Sequence, residues 1–208
     1  MNVVSSNKEN MSMFSNPFRF FRIFFLSIFG IIAGCYYGSI SDFSETDIVG
    51  LENGLHNPSF EDGEYAPDHL PSGWISLDAK AGELVWDNSV SKDQARSLRV
   101  EEDGKVALVS EAFDIKPSNV YYSRVFTKGD RISQKVTISF VTFNKNGKKL
   151  DKFSESHNVL GEWIPVSFTT GFFDGAAVFG RLIITIDSKS GYNLWLDDAG
   201  SYVVYEIK

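Results

Sequence analysis

The feature that most constrains this chain is a succession of short runs of β-branched and aromatic residues from Ile48 to the C-terminus. Turn-forming residues separate the runs, and Asn146-Gly147 between two runs is the strongest hairpin signal among them. No segment places apolar residues at helical spacing. Many short strands without helices predict an all-β fold, a β-sandwich or barrel. The expected strands cover residues 48–53, 73–77, 82–88, 96–101, 104–110, 119–128, 134–144, 163–170, 176–187, 192–197 and 201–207.

The N-terminal region has a different pattern. Arg19 and Arg22 precede the run from Ile23 to Gly34, which contains no charged residue. A positive segment followed by an apolar segment of this length predicts a secretory signal. A membrane-spanning helix needs roughly 20 apolar residues, and about 16 residues lie between Arg22 and Ser39. A short transmembrane anchor is the alternative.

The chain has one cysteine, Cys35, at the end of this apolar run. Ile32-Ala33-Gly34-Cys35 resembles the lipobox of bacterial lipoproteins. The resemblance implies removal of residues 1–34 and attachment of diacylglycerol to Cys35, followed by a tether over 35–47 and a domain over 48–208. We therefore expect an exported protein that is lipid-anchored to the bacterial cell envelope, on its periplasmic or cell-surface side. The alternative is a secretory segment with an incidental cysteine.

The net charge limits the classes of partner. The whole chain carries −7, and residues 1–34 contain Lys8, Arg19 and Arg22 against Glu9, so their removal leaves about −9. Nucleic acids favour clustered lysine and arginine. We therefore expect no nucleic-acid partner.

Side-chain alternation predicts which face each strand residue takes. In residues 120–128, 136–143 and 178–186, one alternating set is apolar or small, and we assign it to the core. The other set mixes aromatics, arginine and hydroxyls, which suits a sugar because rings stack on pyranoses while polar groups bond to the hydroxyls. The outward residues expected to bind carbohydrate are Tyr122, Arg124, Phe126, Phe143 and Arg181. Alternatively, the aromatic members pack beneath a loop or the tether.

Seven motifs occur in a recognisable order. They are LENGLHNPSFEDG at 51–63, PSGW at 71–74, ARSLRVE at 95–101, FDIKPSNVYYSRVFTKG at 113–129, VTFNKNGK at 141–148, GEWIPVSFT at 161–169 and LWLDDAGSY at 194–202. This set resembles the carbohydrate-binding modules of families four and nine, within the galactose-binding-like jelly-roll group. The resemblance implies a jelly-roll β-sandwich that binds polysaccharide. Trp86 matches no fixed position of these families, so we add it as a candidate for sugar stacking.

Three carboxylates are candidates for a metal site. The first and last strands of a closed sandwich commonly lie side by side, which would bring Glu61 close to Asp197 and Asp198. Oxygen ligands from separate strands suit Ca²⁺. The resemblance likewise implies a structural calcium near the termini, with Glu61, Asp197 and Asp198 as ligands. Alternatively, Glu61 caps a turn and Asp197 accepts hydrogen bonds from backbone amides.

We expect no catalysis. Glycoside hydrolysis needs two carboxylates flanking one bond, whereas the acidic pairs Glu61-Asp62, Glu101-Glu102 and Asp197-Asp198 are adjacent and would point to opposite faces of a strand. The sequence therefore predicts a non-catalytic envelope module that works beside a partner enzyme or transporter. Two alternatives remain: a structural or protein-interaction module on the same fold, and a glycan-active hydrolase or lyase.

Overall fold

The computed structural model describes residues 43–64, 70–77, 84–101, 104–130, 134–188 and 192–207. These ranges contain no helix, and so none long and apolar enough to cross a membrane. The strands are β1 (Trp74–Ser76), β2 (Leu84–Asp87), β3 (Ser97–Val100), β4 (Gly104–Ser110), β5 (Phe113–Asp114), β6 (Asn119–Gly129), β7 (Lys135–Asn144), β8 (Lys149–Asn158), β9 (Ile164–Thr169), β10 (Ala177–Ser188) and β11 (Leu194–Glu206).

The strands form two antiparallel sheets. Sheet I has the order β1-β4-β10-β7-β8, with β5 paired to β10. Sheet II has the order β2-β3-β11-β6-β9. Most neighbouring strands are distant in sequence, as β4 and β10 are, so long-range pairing determines the fold. Two sheets around one core confirm the predicted all-β sandwich.

The core lies between the sheets and is built from the apolar alternating sets. Ile138 of β7 and Ile184 of β10 are fully buried. They belong to one cluster with Val125, Leu98 and Leu196 of sheet II. The predicted inward sets of these strands are therefore confirmed.

The Asn146-Gly147 hairpin is also confirmed, but its second strand was not predicted. Asn144 accepts bonds from the backbone N–H of residues 146 and 148, both at 3.0 Å, and Gly147 has φ +75°. The returning strand, β8, has the sequence KLDKFSESHN and little apolar alternation. It lies at the edge of sheet I, where charged residues are tolerated because one side of the strand is unpaired.

Two other strand predictions need correction. Residues 48–53 form turns rather than a strand, since Gly50 has φ +81° and only Asn53 pairs, through a single bridge to Tyr202. The strands predicted at 192–197 and 201–207 are one strand, β11. A register shift between Asp197 and Gly200 interrupts its pairing without ending it.

Residues 43–50, here called the N-terminal segment, pack on the outer face of sheet II. Asp47 accepts bonds from the backbone N–H and the hydroxyl of Ser44, at 2.8 and 2.7 Å, which fixes a turn. Ile48 is buried against Tyr122 and Tyr202. Residues 43–47, which the sequence analysis assigned to the tether, are therefore packed against sheet II. The signal peptide, Cys35 and the rest of the tether lie outside the described residues.

Candidate functional site: the outer face of sheet I

An aromatic pair marks one end of the outer face of sheet I. The register of β7 and β10 places Phe143 opposite Phe179. Their rings stack, with centroids 5.1 Å apart and planes at 10°, and both residues are half-buried. Because each ring packs on the other, the pair is a preformed apolar surface.

Arg181 lies two residues further along β10, on the same face as Phe179. One Nη1–H group donates to the carbonyl of Ser110 at 2.7 Å, which holds the side chain along β4. Its other N–H groups bond to none of the described residues. Lys152 and Lys149 of β8 lie beside this row, because they pair with Val141 and Phe143 of β7. Both lysines are exposed. The face thus offers several donors next to an aromatic surface.

The middle of the face is apolar and is bordered by hydroxyls. Ile75 is 52 % exposed and lies in register with Val109, which is followed across the sheet by Ile183. Toward β8, the hydroxyls of Thr137 and Ser156 bond to each other at 2.7 Å. Apolar patches interleaved with hydroxyls and cations are suited to a ligand that has both CH faces and hydroxyl groups.

Two predicted ligand residues are not accessible on this or any other face. Tyr122 and Arg124 point outward from sheet II, but the N-terminal segment covers them, and they are 3 % and 6 % exposed. The Tyr122 hydroxyl donates to Glu45 at 2.9 Å, and Arg124 Nε lies 3.1 Å from the same carboxylate. Their predicted role in stacking and donating to a sugar is therefore wrong for this conformation.

Arg124 is instead part of a buried ion network. Its guanidinium donates to the carbonyl of Asp198 and, at 2.9 Å, to the carboxylate of Asp198. Burial alone would lower the pKa of Arg124, but the bond to Asp198 and the nearby Glu45 raise it. The pKa of Arg124 therefore rises overall. Burial raises the pKa of Tyr122 to about 12. The cation and phenol are thus held in their usual protonation states.

Phe126 is half-buried on sheet II, away from the aromatic pair. Lys92 Nζ lies 3.8 Å from the centre of its ring, and the Arg124 guanidinium carbon lies 4.8 Å from it. Both cations occupy the ring faces through cation–π contacts. Phe126 therefore belongs to the ion network and not to the candidate site.

Trp86 is a core residue, which corrects its prediction as a stacking platform. It is 4 % exposed, and its indole N–H donates to the carbonyl of Phe60 at 2.6 Å. The guanidinium of Arg96 lies 4.2 Å from the ring centre. Trp86 has the same strand parity as buried Leu84. That parity was the sequence signal for a core position.

The predicted calcium ligands Glu61 and Asp197 approach the same loop, residues 92–96. Glu61 Oε1 accepts two backbone bonds from the end of the loop, at 2.9 and 2.8 Å. Asp197 Oδ2 accepts two from its start, at 2.7 and 3.0 Å. Between them, Gln94 has φ +52°. Both carboxylates thus accept hydrogen bonds from backbone amides, which is the alternative to a calcium site that the sequence analysis left open for Asp197.

Asp198 is engaged elsewhere, because Lys92 Nζ lies 2.7 Å from its Oδ2 and Arg124 binds its Oδ1. Although burial opposes the effect, these two cations lower the pKa of Asp198. Burial raises the pKa of Asp197 to about 6, against three backbone N–H bonds. Within the described residues, no three His, Cys, Asp or Glu side chains are grouped to hold a metal. A calcium ion beside Glu61 and Asp197 would therefore need backbone carbonyls or water as further ligands.

Several solved structures share this fold. A family 61 carbohydrate-binding module, solved with β-1,4-galactotriose, is 17 % identical, with a TM-score of 0.54 over 73 % of this chain and 99 % of that one. A family 16 carbohydrate-binding module is 12 % identical, with a TM-score of 0.52 over 72 % and 99 % of the two chains. The enzymatically active domain of bacteriophage CBA120 tailspike protein 4 is 12 % identical, with a TM-score of 0.56 over 73 % of this chain.

The match covers only 21 % of the tailspike chain. A scan against protein families finds no match, and a search of curated proteins finds none either. At these identities the likeness shows the jelly-roll sandwich fold of carbohydrate-binding modules.

Proposed function

We propose that this protein is a carbohydrate-binding module that binds polysaccharide on the outer face of sheet I. The observation that carries the proposal is the stacked Phe143–Phe179 pair beside Arg181, whose remaining N–H groups have no partner among the described residues. The aromatic pair would contact the CH face of a sugar ring. Arg181 and the hydroxyls near β8 would bond to its substituents. The structural likeness to carbohydrate-binding modules supports this proposal.

We also infer that the protein binds without cleaving. The carboxylates at described strand positions of this face are Asp114, opposite Phe179, and Asp187, near the far end of β10. Phe179 and Asp187 are eight residues apart on one strand, which is about 27 Å at ~3.4 Å per residue. The two catalytic carboxylates of glycoside hydrolases are about 5–9.5 Å apart. This separation favours binding over hydrolysis.

Phe179→Ala is expected to weaken polysaccharide binding by about tenfold, or ~1.4 kcal/mol, because it removes half of the aromatic surface. Affinity electrophoresis of the full chain, purified in mild detergent, through gels containing β-glucan, xylan, mannan, galactan or pectin measures this loss. Tyr205→Ala is the matched control, since Tyr205 is an aromatic residue 53 % exposed on sheet II. Equal loss of retardation in both variants would place the binding surface elsewhere.

A structural calcium ion remains a proposal. Glu61 and Asp197 would hold the ion at the 92–96 loop, where it would order the loop rather than contact sugar. We expect millimolar calcium to raise the melting temperature by about 5 °C relative to chelator, and Asp197→Asn to abolish the difference. If the wild-type protein melts at the same temperature in calcium and in chelator, the proposal of a structural calcium ion is wrong.

We further propose an envelope lipoprotein, so that the domain holds glycan near a membrane and works beside an envelope enzyme or transporter. Its support is the lipobox resemblance at Cys35, eight residues before the first described residue. In cells given a radiolabelled fatty acid, Cys35→Ala is expected to abolish labelling and to leave an uncleaved precursor. The chain has no other cysteine to accept a thioether-linked lipid. Continued labelling of the variant would overturn the anchor.

A further inference from the structure

A second candidate site lies at one end of the sandwich, beside the outer face of sheet I. It is an open groove of about 420 Å³ between residues 51–54, β5, the start of β6 and the later part of β11. This volume is within the range of small-molecule pockets, roughly 300–1,000 Å³. The groove is lined in part by Leu51, Glu52, Phe113, Asp114, Asn119 and Val203.

One wall of the groove is apolar and fixed. Phe113 is half-buried and packs edge-on against Phe140, with centroids 5.7 Å apart. Leu51 and Val203, 41 % and 39 % exposed, also line the groove. An aromatic ring fixed by Phe140, together with two partly exposed aliphatic side chains, provides an apolar surface for the CH face of a ligand.

Asn119 supplies an unused donor inside the groove. The residue is 6 % exposed, and its Oδ1 accepts a bond from the Ser118 hydroxyl at 3.3 Å. Its side-chain NH₂ group donates to none of the described residues. A ligand acceptor in the groove could therefore accept a hydrogen bond from this NH₂ group.

The rim of the groove carries charges of both signs. Glu52 and Asp114 are exposed, and their carboxylates accept no side-chain bond from the described residues. Lys116 Nζ lies 4.0 Å from the carboxylate of Glu206, with both side chains largely exposed. A ligand here would meet acceptors and a donor at the rim and an amide donor within.

We propose that this groove is a second subsite that binds one neutral sugar ring. A pyranose presents an apolar CH face to Phe113 and hydroxyls that both accept from Asn119 and donate to Glu52. The groove also adjoins the first site, because Asp114 lies in register with Phe179. The proposal rests on the carbohydrate-binding function proposed above. It adds that a chain end or a branch enters the groove while the chain lies on sheet I.

The test is a titration of the isotope-labelled full chain, in detergent, with methyl glycosides of glucose, galactose, mannose and xylose. ¹H–¹⁵N spectra are expected to show saturable shifts of the Asn119 side-chain amide and of the Phe113 and Val203 backbone amides for at least one glycoside. Asn119→Leu should weaken this binding at least fivefold. Leu51→Trp, which fills the groove mouth from an exposed position, should do the same if Asn119→Leu lowers stability.

Phe179→Ala separates the two proposals. If the groove shifts persist in Phe179→Ala, the groove is an independent subsite, as proposed. If a polysaccharide binds to sheet I but no glycoside shifts the groove residues, the groove proposal is wrong and the proposed function stands. If no glycoside and no polysaccharide perturbs either surface, both proposals are wrong.

Discussion

Trp86→Ala is expected to lower the free energy of unfolding by about 3–5 kcal/mol and to leave polysaccharide affinity nearly unchanged in the fraction that stays folded. The indole is 4 % exposed and belongs to the main core cluster. Its loss would leave a cavity between the sheets. It would also leave the carbonyl of Phe60, which accepts the indole N–H, without that donor. Equilibrium denaturation in urea measures the change.

Tyr205→Ala again serves as the control, because this exposed aromatic residue should cost less than about 1 kcal/mol. A contrary result has a specific meaning. If Trp86→Ala keeps wild-type stability and loses polysaccharide binding, Trp86 is a ligand-stacking residue, as the sequence-based hypothesis held. The indole would then point away from the core of the sandwich.

Arg124→Ala is expected to destabilise the fold by about 3–5 kcal/mol, because removing one partner from a buried ion network leaves the others uncompensated. The Arg124 side chain is 8 % exposed, and it neutralises Asp198 and Glu45 beneath the N-terminal segment. The pKa of Asp198, now lowered, should rise toward its usual range. Since a lowered carboxyl pKa contributes stability that is lost as pH falls through it, the variant should lose less stability than wild type on acidification.

Arg181→Ala is the matched comparison for Arg124→Ala. Arg181 is half-buried with one bond to Ser110, so its removal should cost less than about 1 kcal/mol while weakening polysaccharide binding severalfold. Arg124→Ala should do the reverse. Urea denaturation measures the loss of stability in each variant, and affinity electrophoresis measures the loss of polysaccharide binding in each. Loss of binding in the folded Arg124→Ala variant, with wild-type binding in Arg181→Ala, would show that sheet II, and not sheet I, holds the ligand.

The strands and their inward faces were predictable because the sequence signals for them are local. Alternation separates Ile138 and Ile184 from their polar neighbours, and Asn146-Gly147 specifies the hairpin. The sequence could not reveal β8, since an edge strand needs little apolar character. Lys149 and Lys152, which border the proposed site, were therefore missed.

The candidate site was only partly predictable, because alternation assigns a face but does not say what covers it. Phe143 and Arg181 were expected outward and lie on the open face of sheet I. Tyr122 and Arg124 were also expected outward, yet the N-terminal segment covers them through Glu45 and Ile48. That segment has a polar, irregular sequence, and its packing depends on contacts between residues about 77 positions apart.

The measurement that most directly tests the central claim is a glycan microarray probed with the full chain in detergent, alongside the Phe143→Ala/Phe179→Ala double variant. We predict binding of the wild-type protein to at least one class of plant or microbial polysaccharide, and loss of that signal in the double variant despite retained folding by circular dichroism. Absence of wild-type binding to every glycan, or equal binding by the folded double variant, would contradict the claim that the outer face of sheet I binds carbohydrate.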